Sequence, residues 1–185
     1  MRTVSAMVTL PITSHVIVRR ATASDLPALE WNGELVHFRR IFADAYRLMQ
    51  AGEAMMWVAD LSGVGIIGQL FVHLYRQSGT AKHSPPYAYI YGFRVQPAFR
   101  GLGIGSLILQ TAEAELARNG FHRVTLNVAR DNPDALRLYQ RFGYRIVAPD
   151  PGIWSYLDQN GVRVQVNEPA WRMEKENRLF GNRRG

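Results

Sequence analysis

The fold of this chain is decided by the stretch Val95-Gln96-Pro97-Ala98-Phe99-Arg100-Gly101-Leu102-Gly103-Ile104-Gly105-Ser106. An apolar run from Tyr87 leads into this stretch, and Pro97 ends the run because proline fixes φ and lacks a backbone donor. Three glycines at alternate positions then precede a helical pattern. The stretch predicts a strand, a glycine loop and a helix N-terminus, whose bare amides and positive helix dipole suit a phosphate group.

Two well-known phosphate-binding loops do not match this stretch. The dinucleotide fingerprint needs a further glycine where this chain has Ile104 or Ser106, and a P-loop needs a lysine that is absent here. The pattern that fits is Arg/Gln-x-x-Gly-x-Gly/Ala, filled by Arg100, Gly103 and Gly105. It resembles the acetyl-CoA pyrophosphate loop of the GCN5-related N-acetyltransferases, the GNAT superfamily. A tight strand-to-helix turn without a ligand is the alternative.

A second signature lies further along the chain. The residues Asn132, Ala135, Leu138-Tyr139 and Gly143-Tyr144 fill the pattern Asn-x-x-Ala-x-x-Leu-Tyr-x-x-x-Gly-Phe/Tyr, which resembles the second GNAT signature. Asn132 is a favourable N-cap and is followed by proline at the first helical position. Because both signatures occur in the family's usual order and separation, the chain is identified as a member of the GNAT superfamily.

The resemblance implies an α/β (α+β) fold. Its central sheet is mixed, mostly antiparallel and twisted, has six to seven strands, and is flanked by about four helices. The fourth and fifth strands, predicted at Tyr87 to Val95 and His122 to Val128, are parallel and splay apart. The predicted GNAT domain covers residues 15–175, between an N-terminal lead-in (1–14) and a basic tail (176–185).

Periodicity and capping residues predict the remaining elements. A helix begins near Thr22 and Asp25, a break lies around Gly33, and a second helix covers Leu35 to Gln50. On the fourth strand, strict alternation places one set of side chains on a common face: Tyr87, Tyr89, Tyr91, Phe93 and Val95.

Composition restricts the function further. The 185 residues suit one domain, and the absence of cysteine excludes disulfides and thiolate zinc sites. No apolar run approaches membrane-spanning length, and the N-terminal segment does not resemble a signal peptide, so a cytoplasmic protein is expected. The net charge of +7 is spread along the chain, which makes nucleic acid an unfavoured partner. The histidines show no metal-ligand spacing, so no metal is expected.

The resemblance also implies which residues bind acetyl-CoA, the expected cosubstrate. The pantetheine arm pairs with the strand at Phe93, Arg94 and Val95, and Asn127 and Asn132 lie beside it. Tyr139 is the general acid for the coenzyme A thiolate. The diphosphate is held by the loop and first helical turn: Arg100, Gly101, Leu102, Gly103, Ile104, Gly105 and Ser106.

The expected activity is direct transfer of an acetyl group to a primary amine of a small molecule or a peptide. The family's usual carboxylate on the fourth strand is absent, because residues 89–92 are Tyr-Ile-Tyr-Gly. His73 and Glu34 are the leading candidates for the general base, with Glu30, His37 and a water relay also open. The missing carboxylate leaves a non-catalytic acyl-CoA-binding module as the alternative function. The acceptor amine is not specified by the sequence, and a homodimer is compatible with it.

Overall fold

The computed structural model describes residues 11–76 and 85–176. The predicted lead-in and tail lie largely outside these ranges, as does most of the loop after the third strand. The described residues form nine strands and three α-helices: β1 (Val16–Arg20), α1 (Arg39–Gln50), β2 (Ala54–Leu61), β3 (Gly65–Tyr75), β4 (Tyr87–Val95), α2 (Ile104–Arg118), β5 (Arg123–Ala129), α3 (Pro133–Arg141), β6 (Arg145–Asp150), β7 (Ile153–Leu157), β8 (Arg163–Asn167) and β9 (Ala170–Glu176).

Seven of these strands form one sheet in the order β1-β2-β3-β4-β5-β9-β6. The pair β4 and β5 is parallel, and every other neighbouring pair is antiparallel. The crossover between β4 and β5 is α2, as a strand–helix–strand sequence requires for parallel neighbours. The predicted fold class is therefore confirmed, and β9 inserts between β5 and β6 as a full strand of the sheet.

Two apolar layers cover the sheet. On the first face, the buried stripe of α2 (Ile104, Ile108 and Leu116) and Tyr139 of α3 pack against β4 and β5. On the second face, Phe42 of α1 packs against Phe71 of β3 and Met56 of β2. The glycine loop thus lies on the first face together with α2, and the residues before β2, which include α1, cover the second face.

The alternation along β4 is broken by a bulge at Gly92. Gln69 of β3 lies opposite Arg94 but Phe71 lies opposite Tyr91, so β4 has one residue more than its partner. As a result Phe93 packs on the first face, whereas Tyr91 packs on the second face. The prediction that both belong to one face was wrong, since an inserted residue reverses the side-chain order.

The helical region before β2 also differs from the prediction. Ala23–Gly33 is a 3-10 segment, and the α-helix begins only at Arg39 rather than at Leu35. Thr22 and Asp25 form a capping box at the start of this 3-10 segment, where a helix start was predicted. Trp31 adopts the left-handed conformation (φ 47°), which ends regular helix geometry there.

The strands β7 and β8 form a separate hairpin that leaves the sheet through a narrow neck. Glu168 donates its backbone N–H to the carbonyl of Gly152 at 3.0 Å. Gly152 has φ 65°, and a Cβ on it would lie 1.7 Å from the Glu168 carbonyl oxygen. Only glycine fits this neck, which turns the hairpin towards α1.

Replacing Gly92 with alanine tests the bulge. Gly92 has φ 58°, and its added Cβ would lie 2.7 Å from Phe71 Cδ2. Gly63 has a comparable φ of 77° with no atom within 4 Å, so Gly63→Ala is a matched control for the conformational cost alone. We expect Gly63→Ala to lower the free energy of unfolding by about 1–2 kcal/mol, and Gly92→Ala by about 1–3 kcal/mol more. Equal losses in urea unfolding would show that Phe71 does not hold the bulge.

Candidate active site

A wedge opens in the sheet between β4 and β5. Their parallel pairing covers Tyr87 to Ile90 on β4 and stops opposite Leu126 on β5. Beyond this point β4 continues along β3 to Val95, and β5 continues along β9 to Ala129. The two strands are therefore not hydrogen-bonded to each other beyond Ile90 on β4 and Leu126 on β5. An extended ligand can pair with such an edge as an added strand does.

The glycine loop lies directly after the open end of β4. Gly101 (φ 74°) and Gly103 (φ 85°) adopt the left-handed conformation that favours glycine. Gly103 is the N-cap of α2 and has no side chain to accept the first amides of the helix. The amides of Ile104 to Ser106 are therefore available to an anion at the positive end of the helix.

The side chains of this first turn divide between core and surface. Ile104 is buried in the first-face core, Leu102 is 47% exposed, and Ser106 is half-buried. A Cβ on Gly105 would lie 3.5 Å from Leu138 Cδ2 and 3.6 Å from Phe93 Cζ. The small residue at Gly105 thus lets the start of α2 approach both β4 and α3.

Arg100 closes the turn between strand and loop. Its Nε donates to the carbonyl of Val95 at 2.9 Å. The rest of the guanidinium is exposed beside the loop amides, where it can contact a bound anion. This bond occupies the Val95 carbonyl, so a ligand would pair with other backbone groups on the edge of β4 that faces β5.

Tyr139 lies at the first-face side of the wedge. The residue is 6% exposed, and its ring lies 6.3 Å from Phe93 and 5.7 Å from Tyr144, centroid to centroid. Burial raises the pKa of Tyr139 well above its ordinary value, and the Tyr89 hydroxyl raises it further. The phenol is therefore fully protonated at neutral pH and able to donate a proton.

The two asparagines have partners within the protein. Asn132 caps α3 as predicted, because its side chain accepts the backbone N–H of Ala135 at 3.1 Å. Asn127, on the open part of β5, donates to the carboxylate of Asp150. This bond and the backbone N–H of Gly152 lower the pKa of Asp150. Both asparagines thus stand next to the wedge with fixed side chains.

A family model described as Acetyltransferase (GNAT) family matches residues 21–144, which is more than half of the chain. The chain belongs to the GNAT acetyltransferase family. The uncharacterized N-acetyltransferase YdgE of Bacillus subtilis (strain 168) is 40% identical over 62 residues, which cover 34% of this chain and 40% of the relative. The match therefore spans less than half of that relative's length.

Solved GNAT-type structures share the fold. Arabidopsis thaliana NAA60 in complex with acetyl-CoA has a TM-score of 0.66 and 20% identity, covering 87% of this chain and 98% of that chain. The ribosomal-protein-S18-alanine N-acetyltransferase from Escherichia coli has a TM-score of 0.63 and 19% identity, covering 91% and 97%. At this level of identity the likeness shows a common architecture.

The predicted base candidates of this GNAT chain lie apart. His73 pairs opposite Tyr89 on β4, and its ring stacks on Tyr91 with centroids 4.3 Å apart. Glu34 lines a cavity of about 230 Å³ together with Trp31 and Gln96. Tyr89 and Gln96 are seven positions apart along the chain, which corresponds to roughly 20 Å of extended backbone. His73 and Glu34 therefore lie near opposite ends of β4.

The remaining candidates differ in their availability. Arg39 donates to Glu30 at 2.5 and 2.8 Å and lowers the pKa of that carboxyl, so Glu30 is a poor base. Burial lowers the pKa of His73, which keeps its imidazole neutral at neutral pH. His37 lies next to Phe38 and faces Tyr156 of the hairpin.

Arg94 is a site residue whose side-chain position the sequence did not reveal. After the bulge its side chain lies on the second face, with Cζ 4.6 Å from the centroid of Phe38. Tyr156 of the hairpin also contacts Phe38, with ring centroids 5.1 Å apart. Burial lowers the pKa of Arg94, while Glu168 and Tyr156 act in the opposite direction. The hairpin thus covers a desolvated cation beside the wedge.

Within residues 11–76 and 85–176, no three histidine, aspartate or glutamate side chains converge as a metal site. Over the same residues, no helix combines the length and apolar character that a bilayer crossing requires.

Replacing His73 with phenylalanine tests its neutral, stacked state. The wild-type histidine has a lowered pKa when folded and about 6.5 when unfolded, so the unfolded state binds more protons as the pH falls. Wild-type stability is therefore lost as the pH falls below about 6.5, and His73→Phe removes this contribution while keeping the stack on Tyr91. We expect the free energy of unfolding of the variant, minus that of the wild type, to increase as the pH falls from about 7 to 5. Parallel pH curves in urea unfolding would contradict the assignment.

Proposed function

We propose that this GNAT protein transfers an acetyl group from acetyl-CoA directly to a primary amine. The observation that carries the proposal is the wedge between β4 and β5, whose open end faces the uncapped N-terminus of α2. One edge suits an extended amide-bearing arm and the adjoining loop suits a diphosphate, as in coenzyme A. The solved neighbour NAA60 contains acetyl-CoA, which supports the same cosubstrate here.

Binding is assigned to three groups of residues. The backbone of Phe93 to Val95 receives the pantetheine arm, with Asn127 and Asn132 beside it. The diphosphate contacts the amides from Arg100 to Ser106, and the Arg100 guanidinium adds a charge-assisted contact. Glycine is required at positions 101 and 103, because any other residue would be strained at the positive φ of these positions.

The reaction then needs a polarised carbonyl and two proton transfers. A β4 amide donates to the thioester oxygen, a contact that contributes roughly 3 kcal/mol to the transition state. The amine nitrogen forms a bond to the acetyl carbon, the carbon–sulfur bond breaks, and the departing thiolate takes its proton from the Tyr139 hydroxyl. Tyr139 carries its proton at neutral pH, and its ring lies beside Phe93 at the end of β4, where the thiolate would form.

The general base is assigned to His73. Its imidazole is neutral at neutral pH, and among the described residues none forms a hydrogen bond with its ring nitrogens. Its stacking partner Tyr91 lies on the second face, two residues before Phe93 in the chain. The amine is proposed to approach the thioester from this face. A water molecule can carry the proton over the remaining gap.

A primary amine on a small molecule or a peptide is the proposed acceptor. One structural neighbour is named as a ribosomal-protein-S18-alanine N-acetyltransferase, which supports a peptide or protein amine as one class of acceptor. On the second face the rings of Phe38, Phe42 and Tyr156 lie close together, and these rings suit the apolar part of an acceptor. The absence of a carboxylate at residues 89–92 favours a second candidate, a non-catalytic acyl-CoA-binding module.

Tyr139→Phe tests the mechanism. The substitution removes the proton donor and keeps the ring packing, so we expect kcat to fall by about 10²-fold while KM for acetyl-CoA changes little. Tyr144→Phe is the matched control, because Tyr144 is equally buried and adjacent, but its hydroxyl interacts with Glu113 of α2 rather than with the wedge. The measurement is release of free coenzyme A with a panel of primary amines.

Three outcomes separate the candidate functions. An unchanged kcat in Tyr139→Phe would remove this phenol from the mechanism. An equal loss in Tyr144→Phe would show that the effect is structural. Acetyl-CoA that raises the melting temperature without coenzyme A release from any amine would favour the binding module.

A further inference from the structure

The second face contains a cation, Arg94, whose side-chain donors form no hydrogen bond with the described residues. Arg94 has five N–H donors, and among the described residues none accepts a hydrogen bond from its guanidinium. Arg19, by contrast, which is also partly buried, is paired with Asp25 and Asp60. A partly buried guanidinium without a protein acceptor is costly, so its position suits an anionic partner.

The described neighbours of Arg94 do not supply such a partner. The guanidinium lies over the ring of Phe38, a cation–π contact that uses none of its N–H donors. Glu168 acts on Arg94 electrostatically but forms no ion pair with it, and Glu168 itself is exposed. Arg94 is only partly buried, so its donors remain within reach of a ligand that enters from solvent.

The position of Arg94 relative to the reaction limits what that ligand is. Its backbone belongs to the β4 segment assigned above to the thioester, while its side chain lies on the opposite face from α2. An anion held there is a few bonds away from the amine that attacks the thioester. The coenzyme A diphosphate is held on the other face, at the start of α2, and does not satisfy Arg94.

We propose that Arg94 is a specificity-determining residue that binds a carboxylate of the acceptor, so that the preferred substrate carries a carboxylate close to its primary amine. Free amino acids and peptides with an acidic N-terminal residue both have this chemistry. This inference rests on the proposed acetyltransferase function, because it concerns the acceptor side of the same site.

The test compares acceptors that differ only in the carboxylate. Phenylalanine is paired with phenethylamine, and a peptide beginning Asp-Ala is paired with one beginning Asn-Ala. In the wild type we expect kcat/KM to favour the carboxylate member of at least one pair by about 10- to 100-fold, the factor of one charge-assisted hydrogen-bonding contact. Which pair shows the preference distinguishes an amino acid from an acidic peptide.

Substitutions at Arg94 then test whether this residue causes the preference for the carboxylate member of a pair. Arg94→Met keeps an apolar contact with Phe38 and should reduce the ratio within the pair to near one, whereas Arg94→Lys should retain part of it. Arg76→Met is the matched control, because Arg76 stacks on Phe121 with Cζ 4.8 Å from the ring centroid, at the opposite end of β3 and β4. The control should leave the ratio unchanged.

Two results would overturn the inference: equal wild-type rates for both members of each pair, or an equal loss for both members in Arg94→Met. Product binding separates this inference from the proposed function. Calorimetric titration of N-acetylphenylalanine and N-acetyl-phenethylamine, with the matching N-acetylated peptide pair, needs no turnover. Arg94-dependent binding of a carboxylate product without any coenzyme A release would reject the catalytic proposal and support the inference, while carboxylate-independent binding would reject the inference.

Discussion

The contact between Gly92 and the ring of Phe71 is the constraint on which the site depends. Only a residue without Cβ can pass this ring at a positive φ, and the bulge that results adds one residue to β4. That extra residue turns β4 away from β5 after Ile90, so the two strands separate while each remains paired on its other side. It also divides the end of β4 between two faces. Phe93 reaches Tyr139 on one face, and Arg94 reaches Phe38 on the other.

The two faces then have different roles. The first face has the glycine loop, the uncapped start of α2 and the buried phenol of Tyr139, which together suit coenzyme A. The second face has α1, the left-handed turn at Trp31 and the β7–β8 hairpin, whose neck at Gly152 brings Tyr156 over Phe38. Cosubstrate and acceptor would thus meet from opposite sides of one wedge, which keeps their binding determinants separate.

Much of this could be predicted from the sequence, because the relevant signals are local. Pro97, the alternate glycines and the Asn132-Pro133 cap specify their own backbone, and the structure has a strand, loop and helix where these residues predict them. The pairing of β9 between β5 and β6 could not be predicted, since it depends on partners distant in sequence. The face of Arg94 was also beyond prediction: Gly92 in an alternating strand signals a bulge only weakly, and its effect on later side chains depends on Phe71 from another strand.

The most direct measurement of the central claim is a crystal structure with acetyl-CoA bound. The account predicts the diphosphate within hydrogen-bonding distance of the amides between Arg100 and Ser106, the pantetheine arm in the wedge, and the thioester sulfur next to the Tyr139 hydroxyl. A diphosphate bound away from the start of α2, or an arm that leaves the wedge between β4 and β5 empty, would contradict it.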